Sequence, residues 1–460
     1  MASSEEPPPT EQKEDAMNSN SEIPLQNDEL QTNKDDERNE LLQNSVDEEI
    51  TDGEGNDSFT FTLLKDLEPG CLTLDTLPAE ILMHIFNFLD AKFIVETLGK
   101  VCVLFSDLFC EDTYWKLRIS KRWPKQFPPV YEENFNWMEA CVEREEQHQI
   151  WSKTEETCVH FSYREGIFAS VDTVHLMKGG KFLATGSRDR YLNLLDLTKY
   201  DEEDPEASKK AMNTVSTDKK HKGWIWSLAS YDDTLCSGSW DCYIKMWDMN
   251  AGLAEINQFK CKSAILGLHA EPNWLVGAGY NQFLYMIDPR YGTGQKKKFH
   301  RRPVLCVVAD DKYIISGSED KTMAIYDRRA ARVYKTIQTE SYAMDLSFSH
   351  NQLWMGDKEG KVHLYDTTHG RFEKVESYDV GHSGKVTGVH YTTGALFTCS
   401  TDKTIKVLEP NRNPGVITTL DSHRGEVARL SYQNGTLASA GSDVTVQVWI
   451  PKTIYQAYHS

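Results

Sequence analysis

Hydrophobic and polar positions alternate at short range through most of the chain, and the rhythm is clearest across Thr214–Asn250. Three runs there read as strands, about Trp224–Ala229, Thr234–Ser237 and Tyr243–Trp247, divided by a turn at Asp232-Asp233 and a tight turn around Asp241. Polar residues punctuate the runs at fixed offsets. Ser237 precedes Asp241 by four positions, Trp247 follows it by six, and His221 stands just ahead of the first strand.

The same register recurs. Ser316, Asp320 and Tyr326 hold these offsets with His300 upstream, as do Thr398, Asp402 and Leu408 with His382, and Ser439, Asp443 and Trp449 with His423. Each of the four histidines lies four residues before an aliphatic, namely Ile225, Val304, Val386 or Val427. Weaker copies follow Thr185/Asp189, Asn281 (Asn in place of Asp) and Glu359 (Glu in place of Asp), and end at Asp196, Asp288 and Asp366. Seven units at a period of about forty residues, with one longer gap after the first, predict a closed ring of blades. Cys158–Ser460 resembles the WD-repeat family on this recurring register, which implies a mostly β, seven-bladed WD-repeat β-propeller. Cys158–Tyr163 is expected to pair beside the last blade and so remove an open sheet edge. The gap Lys199–Lys222 reads as a flexible insertion on the rim.

Ahead of the repeats the period changes. Leu77, Ile81, Leu82, Ile85, Phe86 and Leu89 recur at helical spacing as one broad apolar stripe, and Pro78 suits a first helical turn. Phe93–Leu98 and Val101–Phe109 are two further helical runs separated by Gly99, with Trp115 and Leu117 closing the block. Three short helices make a small core and leave apolar surface for a partner. Residues 73–119 resemble the F-box in the Leu-Pro-x-Glu-Ile-Leu opening, Leu89-Asp90, Val101-Cys102 and the late Trp115. That resemblance implies docking on a Skp-type adaptor, and through it on cullin and RING subunits. The contacts carried over are Leu77, Pro78, Ile81, Leu82, Ile85, Val101, Cys102 and Leu104.

Residues 120–157 connect the two blocks, with a helix expected over Asn134–Trp151. The chain has 460 residues and a formal net charge of −20. Much of that charge falls in residues 1–70, which carry 20 Asp or Glu against 4 Lys or Arg and are expected to be a disordered acidic tail. The acidic balance, with no basic stripe, argues against nucleic acid as the main partner. No apolar run is long enough to span a membrane, so no membrane partner is expected and the location reads as intracellular, in cytoplasm or nucleus. The ten cysteines show no Cys-x-x-Cys pair, and neither a metal centre nor a cofactor is expected.

Ser237, His221 and Asp241 have the composition of a catalytic triad. Their repetition argues for structure instead: the turn Asp bonds His, His bonds the strand Ser or Thr, and that hydroxyl meets the closing Trp or Tyr. The chain reads as a non-catalytic receptor whose function lies on a propeller face. In WD-repeat proteins partners meet the narrow top face, through the residue before the turn Asp and through positions opening the first strand. Here the turn positions are Arg188, Trp240, Tyr280, Glu319, Lys358, Thr401 and Ser442, and the strand positions include Asp172, Trp224, Trp226, Leu266, Leu305, Tyr342, Met344, Lys385 and Thr387. Arg188, Trp240 and Tyr280 would form a groove over blades one to three for an acidic or phosphorylated residue beside an apolar one. An F-box followed by seven WD repeats resembles the F-box/WD-repeat family of ubiquitin-ligase substrate receptors, implying an unknown protein substrate. Asp288-Pro289-Arg290 and Asp327-Arg328-Arg329 also resemble the Trp-Asp-x-Arg element of receptors for a different cullin–RING ligase, and a plain scaffold is the other alternative.

Overall fold

Pro78, still extended at φ −56° and ψ 144°, stands at the N-cap of the first helix, α1 (Ala79–Phe86), where its missing N–H deprives no partner. In this computed structural model Leu74, residues 77–217 and residues 220–459 are described. The acidic stretch 1–70 and its expected disorder lie outside the described residues, as do Thr73, Asp75 and Thr76.

Helices α2 (Ala91–Glu96), α3 (Val103–Cys110) and α4 (Asp112–Arg122) follow α1. They enclose a small core of Leu82, Phe86, Ile94, Phe105, Phe109 and Trp115. Phe86 meets Phe105 and Phe109 edge-on, with ring centroids 5.1 and 5.3 Å away, and the Trp115 indole N–H donates to the Phe109 carbonyl at 2.7 Å. The expected single stripe on α1 is in fact two faces. Leu82 and Phe86 point into the core, while Ile81 and Ile85 point away from it, 49% and 38% exposed. A helix turns 100° per residue, so neighbours in sequence cannot share one narrow stripe.

Helix α5 (Trp137–Ser152) is capped by the Asn136 side chain, which accepts the Glu139 N–H at 3.2 Å. It holds the helical block with one side and the propeller with the other. Toward the block, Glu145 accepts Arg118 Nε at 2.6 Å, Arg118 Nη2 at 2.9 Å, Arg122 Nη1 at 2.8 Å and the Ala91 N–H at 2.9 Å. Toward the propeller, Trp151 is buried against Phe397, and Arg144 Nη2 donates to Asn411 Oδ1 at 2.6 Å. The Arg144 guanidinium lies between the Trp123 and Phe127 rings, 4.3 and 4.5 Å from their centroids. Burial brings Arg144 down to about 10, against the opposing pull of Glu409.

Seven antiparallel four-stranded sheets make the propeller. Their inner strands begin at Val171, Ile225, Ile265, Val304, Ala343, Val386 and Val427, in blades one to seven. Blade seven is completed by Cys158–Tyr163, which pairs antiparallel with Val446–Pro451, Phe161 opposite Val448. The ring is thus closed by its earliest strand, as the spacing of the repeats predicts.

The described part of the blade-one insertion, up to Thr217, is ordered where a flexible loop was expected. It folds into α6 (Pro205–Met212), with the Asp204 side chain accepting the Ala207 N–H. Tyr200 stacks on Phe161 at 3.9 Å and Met212 is fully buried. Two apolar anchors in a polar stretch are enough to hold it down. Helix α7 (Lys452–His459) packs Ile454, Tyr455 and Tyr458 on the same core.

Candidate adaptor and substrate surfaces

The repeated polar residues form buried hydrogen-bonded relays. In blade two, Trp247 Nε1 donates to Ser237 Oγ at 2.8 Å, Ser237 lies 2.7 Å from His221 Nε2, and His221 Nδ1 lies 2.8 Å from Asp241 Oδ2. An ionised Asp241 can only accept, so Nδ1 donates to it; in a neutral ring Nε2 then accepts from the serine hydroxyl. His300–Ser316, His382–Thr398 and His423–Ser439 repeat the link at 2.8, 2.9 and 2.8 Å, with Asp320, Asp402 and Asp443 on the other ring nitrogen. The closing aromatic differs between blades. Tyr326 stacks on Phe299 and Trp449 on His160.

Burial lowers the pKa of His300, His382 and His423 despite their aspartates, so these rings are held neutral. Burial also acts to raise Asp402, but donors from Thr404 and His382 outweigh it and hold the carboxyl at about 2. The order of protons is that of a hydrolase triad, yet Ser237 is fully buried and its oxygen already takes the Trp247 N–H. It cannot meet a substrate carbonyl.

Two units depart from the register. In blade five the turn carboxylate is Asp357, not Glu359. Asp357 accepts the N–H groups of Glu359 and Lys361 and bonds His363 Nε2 at 2.9 Å, while Glu359 is exposed. The Asp357…His363 spacing is the signal that finds it. In blade three Asn281 donates from Nδ2 to Tyr285 Oη at 2.9 Å, and its backbone N–H goes to Ser263 Oγ.

On the face that carries these turns, the residue before each turn position donates its backbone N–H to the start of its own inner strand. The pairs include Arg188 to Ser170, Trp240 to Trp224, Tyr280 to Ala264, Glu319 to Pro303 and Lys358 to Tyr342. The backbone holds the turn and the side chain is left over. Arg188 packs its guanidinium over Trp224 and Trp226 at 5.2 and 5.8 Å. Trp240 meets Trp224, Trp226 and Tyr280 at 5.7, 5.9 and 5.8 Å. Trp224, Trp240 and Tyr280 are 42%, 38% and 52% exposed, so the cluster faces solvent. Arg188 Nε bonds both Asp172 oxygens at 3.1 and 3.0 Å, which pins the side chain without using its Nη donors. Phe168, which the sequence did not single out, is exposed and edge-on to Tyr191 at 5.3 Å, and its backbone N–H donates to Asp189. Glu319, Tyr342 and Lys358 lie apart, on blades four and five, where Lys358 Nζ sits 4.8 Å over the Tyr342 ring.

On the helical block, Pro78, Ile81, Ile85, Val101 and Leu104 are exposed, and Leu77 and Cys102 are half-buried against the core. Leu82 is corrected: it is 1% exposed and belongs to that core, so a partner cannot reach it. Phe88, Val103 and Phe93 extend the outer apolar surface instead. The count of apolar residues, too many for one helix face, was the available signal.

The two alternative arginine elements are tied to carboxylates. Arg290 Nη2 bonds Asp288 at 2.8 Å, and Arg328 Nη2 bonds Glu271 at 2.9 Å while lying over Trp274. Burial would raise Glu271, but His269 and Arg328 together hold it at about 2. Among the described residues no helix is long and apolar enough to cross a membrane.

Residues 212–248, 295–327 and 373–408 match the WD domain, G-beta repeat family. The chain is 41% identical over 354 residues to human F-box/WD repeat-containing protein 9, covering 76% of each chain. The bovine protein of that name is 40% identical over 359 residues, covering 77% of each. F-box/WD repeat-containing protein mec-15 of Caenorhabditis elegans is 28% identical over 326 residues, 67% of this chain and 78% of its own. The chain belongs to the F-box/WD-repeat family, with F-box/WD repeat-containing protein 9 among its similar members.

Proposed function

We propose that this protein is the substrate-recognition subunit of a Skp–cullin–F-box ubiquitin ligase and is not itself an enzyme. The helical block binds a Skp-type adaptor, and the propeller's top face binds the protein to be ubiquitinated. The observation that carries this reading is the coexistence of two exposed apolar surfaces on one rigidly connected chain. One is the outer face of α1 and α3, with Leu77, Pro78, Ile81, Ile85, Val101, Cys102 and Leu104. The other is the crescent of Arg188, Trp224, Trp226, Trp240 and Tyr280. Apolar patches of this kind are rare on monomers and mark partner sites, and Trp, Tyr and Arg are the usual hot-spot residues. The buried polar relays explain the triad-like residues without any chemistry.

The adaptor half is tested by Pro78→Ala with Ile81→Ala. Both side chains point outward, so the fold should persist while adaptor affinity falls by about 3 kcal/mol, the scale of a hot-spot pair. Undiminished capture of a purified Skp-type adaptor by that variant would remove this reading and favour a propeller scaffold.

A further inference from the structure

The mouth of the central channel is built by a repeated backbone irregularity. Every inner strand slips register near its start, and the skipped residue is the same in each blade: Asp172, Trp226, Leu266, Leu305, Met344, Thr387 or Ala428. A bulge re-aims the side chain it carries. All seven line one cavity of about 260 Å³ at the mouth. The ring they form is two-sided. Blades two to five contribute Trp226, Leu266, Leu305 and Met344, an unbroken apolar arc. Blades six, seven and one contribute Thr387, Ala428 and Asp172, a small or polar arc.

The charges at the mouth lie around the second arc, and most are already matched. Arg188 is held by Asp172, and Arg429 Nη1 bonds Asp345 Oδ1 at 2.5 Å. Lys385 and Glu426 also line the cavity, and neither has an ion-pair partner among the described residues. Lys385 is therefore the one unmatched cation at the mouth among the described residues, and Glu426, the one unmatched carboxylate, stands on the same rim. That suits a single negative charge. A phosphate, close to −2 at neutral pH, would lack a second unpaired cation and would meet the unpaired Glu426 carboxylate.

We propose that this mouth is the specificity pocket of the substrate face, and that it takes an unphosphorylated protein segment in which an apolar side chain adjoins one carboxylate. The apolar side chain lies against Leu305 and Met344, and the carboxylate lies on Lys385. A free carboxy-terminal group and an Asp or Glu side chain supply the same chemistry. The inference rests on the top face being the receptor surface.

The test uses the full-length protein, immobilised, and four pools of synthetic heptapeptides with randomised flanks around a fixed leucine. The leucine is followed by a free carboxy terminus, by glutamate, by phosphoserine or by serine, the last three with amidated ends. The expected result is about tenfold greater retention of a carboxylate pool than of the serine pool, the size of one charge-assisted bond. The better of the two carboxylate pools names the source. Lys385→Met should erase the difference, and Leu305→Ser should lower retention of the same pool. If Leu305→Ser fails to fold, Lys385→Met, at an exposed site, still gives the reading. Greatest retention of the phosphoserine pool, or equal retention of all four, overturns the proposal. Adaptor capture by the same preparation, measured in parallel, shows separately whether the receptor reading stands.

Discussion

Glu145→Ala should loosen the helical block from the rest of the protein. The carboxylate is 8% exposed and takes four N–H donors, from Arg118 (twice), Arg122 and the Ala91 backbone, besides the Cys141 thiol. The Arg118 side chain is fully buried, and its pKa is raised because Glu145 outweighs the burial that alone would lower it. Without Glu145, Arg118 keeps the carbonyls of Phe86 and Leu89 but loses its counter-charge, and the Ala91 N–H loses its acceptor. Breaking a buried pair from one side costs about 3–5 kcal/mol. At 1.4 kcal/mol per factor of ten, that is about two to three and a half powers of ten in local opening. Hydrogen exchange of the amides across α2 and α3, read by mass spectrometry, measures it directly. Blade-two amides such as Ala229 and Cys236 provide the internal control. A rise in exchange below tenfold would mean that Glu145 does not hold the block in place, and the rigid connection between the two binding surfaces would have to be abandoned.

The other expectations are smaller in scope. Leu82→Ala should destabilise the helical block by about 2–5 kcal/mol, whereas Ile81→Ala should change stability by less than about 1 kcal/mol; chemical denaturation of the two variants distinguishes core from surface, and equal costs would contradict that division. Asp241→Ala should strand His221 and the N–H groups of Lys222 and Tyr243, costing about 1–3 kcal/mol in propeller stability, and an unchanged melting temperature would contradict the buried relay. Acid should act in two stages, because His300, His382, His423 and Asp402 all have folded pKa values below their unfolded ones. The histidine contributions are complete above about pH 6.5 and are lost below it, and that of Asp402 is complete above about pH 4 and is lost toward about 2. Urea midpoints that stay level from pH 7 to pH 5 would contradict the neutral, buried rings.

The ring could be read in the sequence because its polar relays recur. Four histidines with a fixed distance to Ser or Thr and to Asp leave little freedom in strand order, and the weaker blades inherit the register by spacing. Blade five shows the limit. Asp357 replaces the usual small residue two places before the turn position, so spacing alone points to Glu359 as the substitute, and only the bond to His363 identifies Asp357. The face of α1 was legible only in part, since sequence spacing marks apolar residues but not which of two apolar faces meets the core. The order in the blade-one insertion was hidden because Tyr200 and Met212 are isolated in a charged stretch and their partners, such as Phe161, lie far away in sequence. The mouth pocket was legible in part. The register put Asp172, Trp226, Leu266, Leu305, Met344, Lys385 and Thr387 on the top face, but a bulge that re-aims one side chain of each strand toward a common cavity leaves no mark on the hydrophobic pattern.

Three forms of the full-length protein, compared in one capture experiment, test the bridging role most directly: unmodified, Ile81→Asp with Ile85→Asp, and Arg188→Ala with Trp240→Ala. Adaptor and cullin are quantified together with the remaining bound proteins, and melting temperature is checked for each form. The expected result is a clean separation: the first variant loses adaptor and cullin and keeps its other partners, and the second keeps adaptor and cullin and loses partners held by the unmodified protein. Retention of adaptor and cullin by the Ile81/Ile85 variant, or an unchanged partner set for the Arg188/Trp240 variant, would contradict a receptor with two independent surfaces.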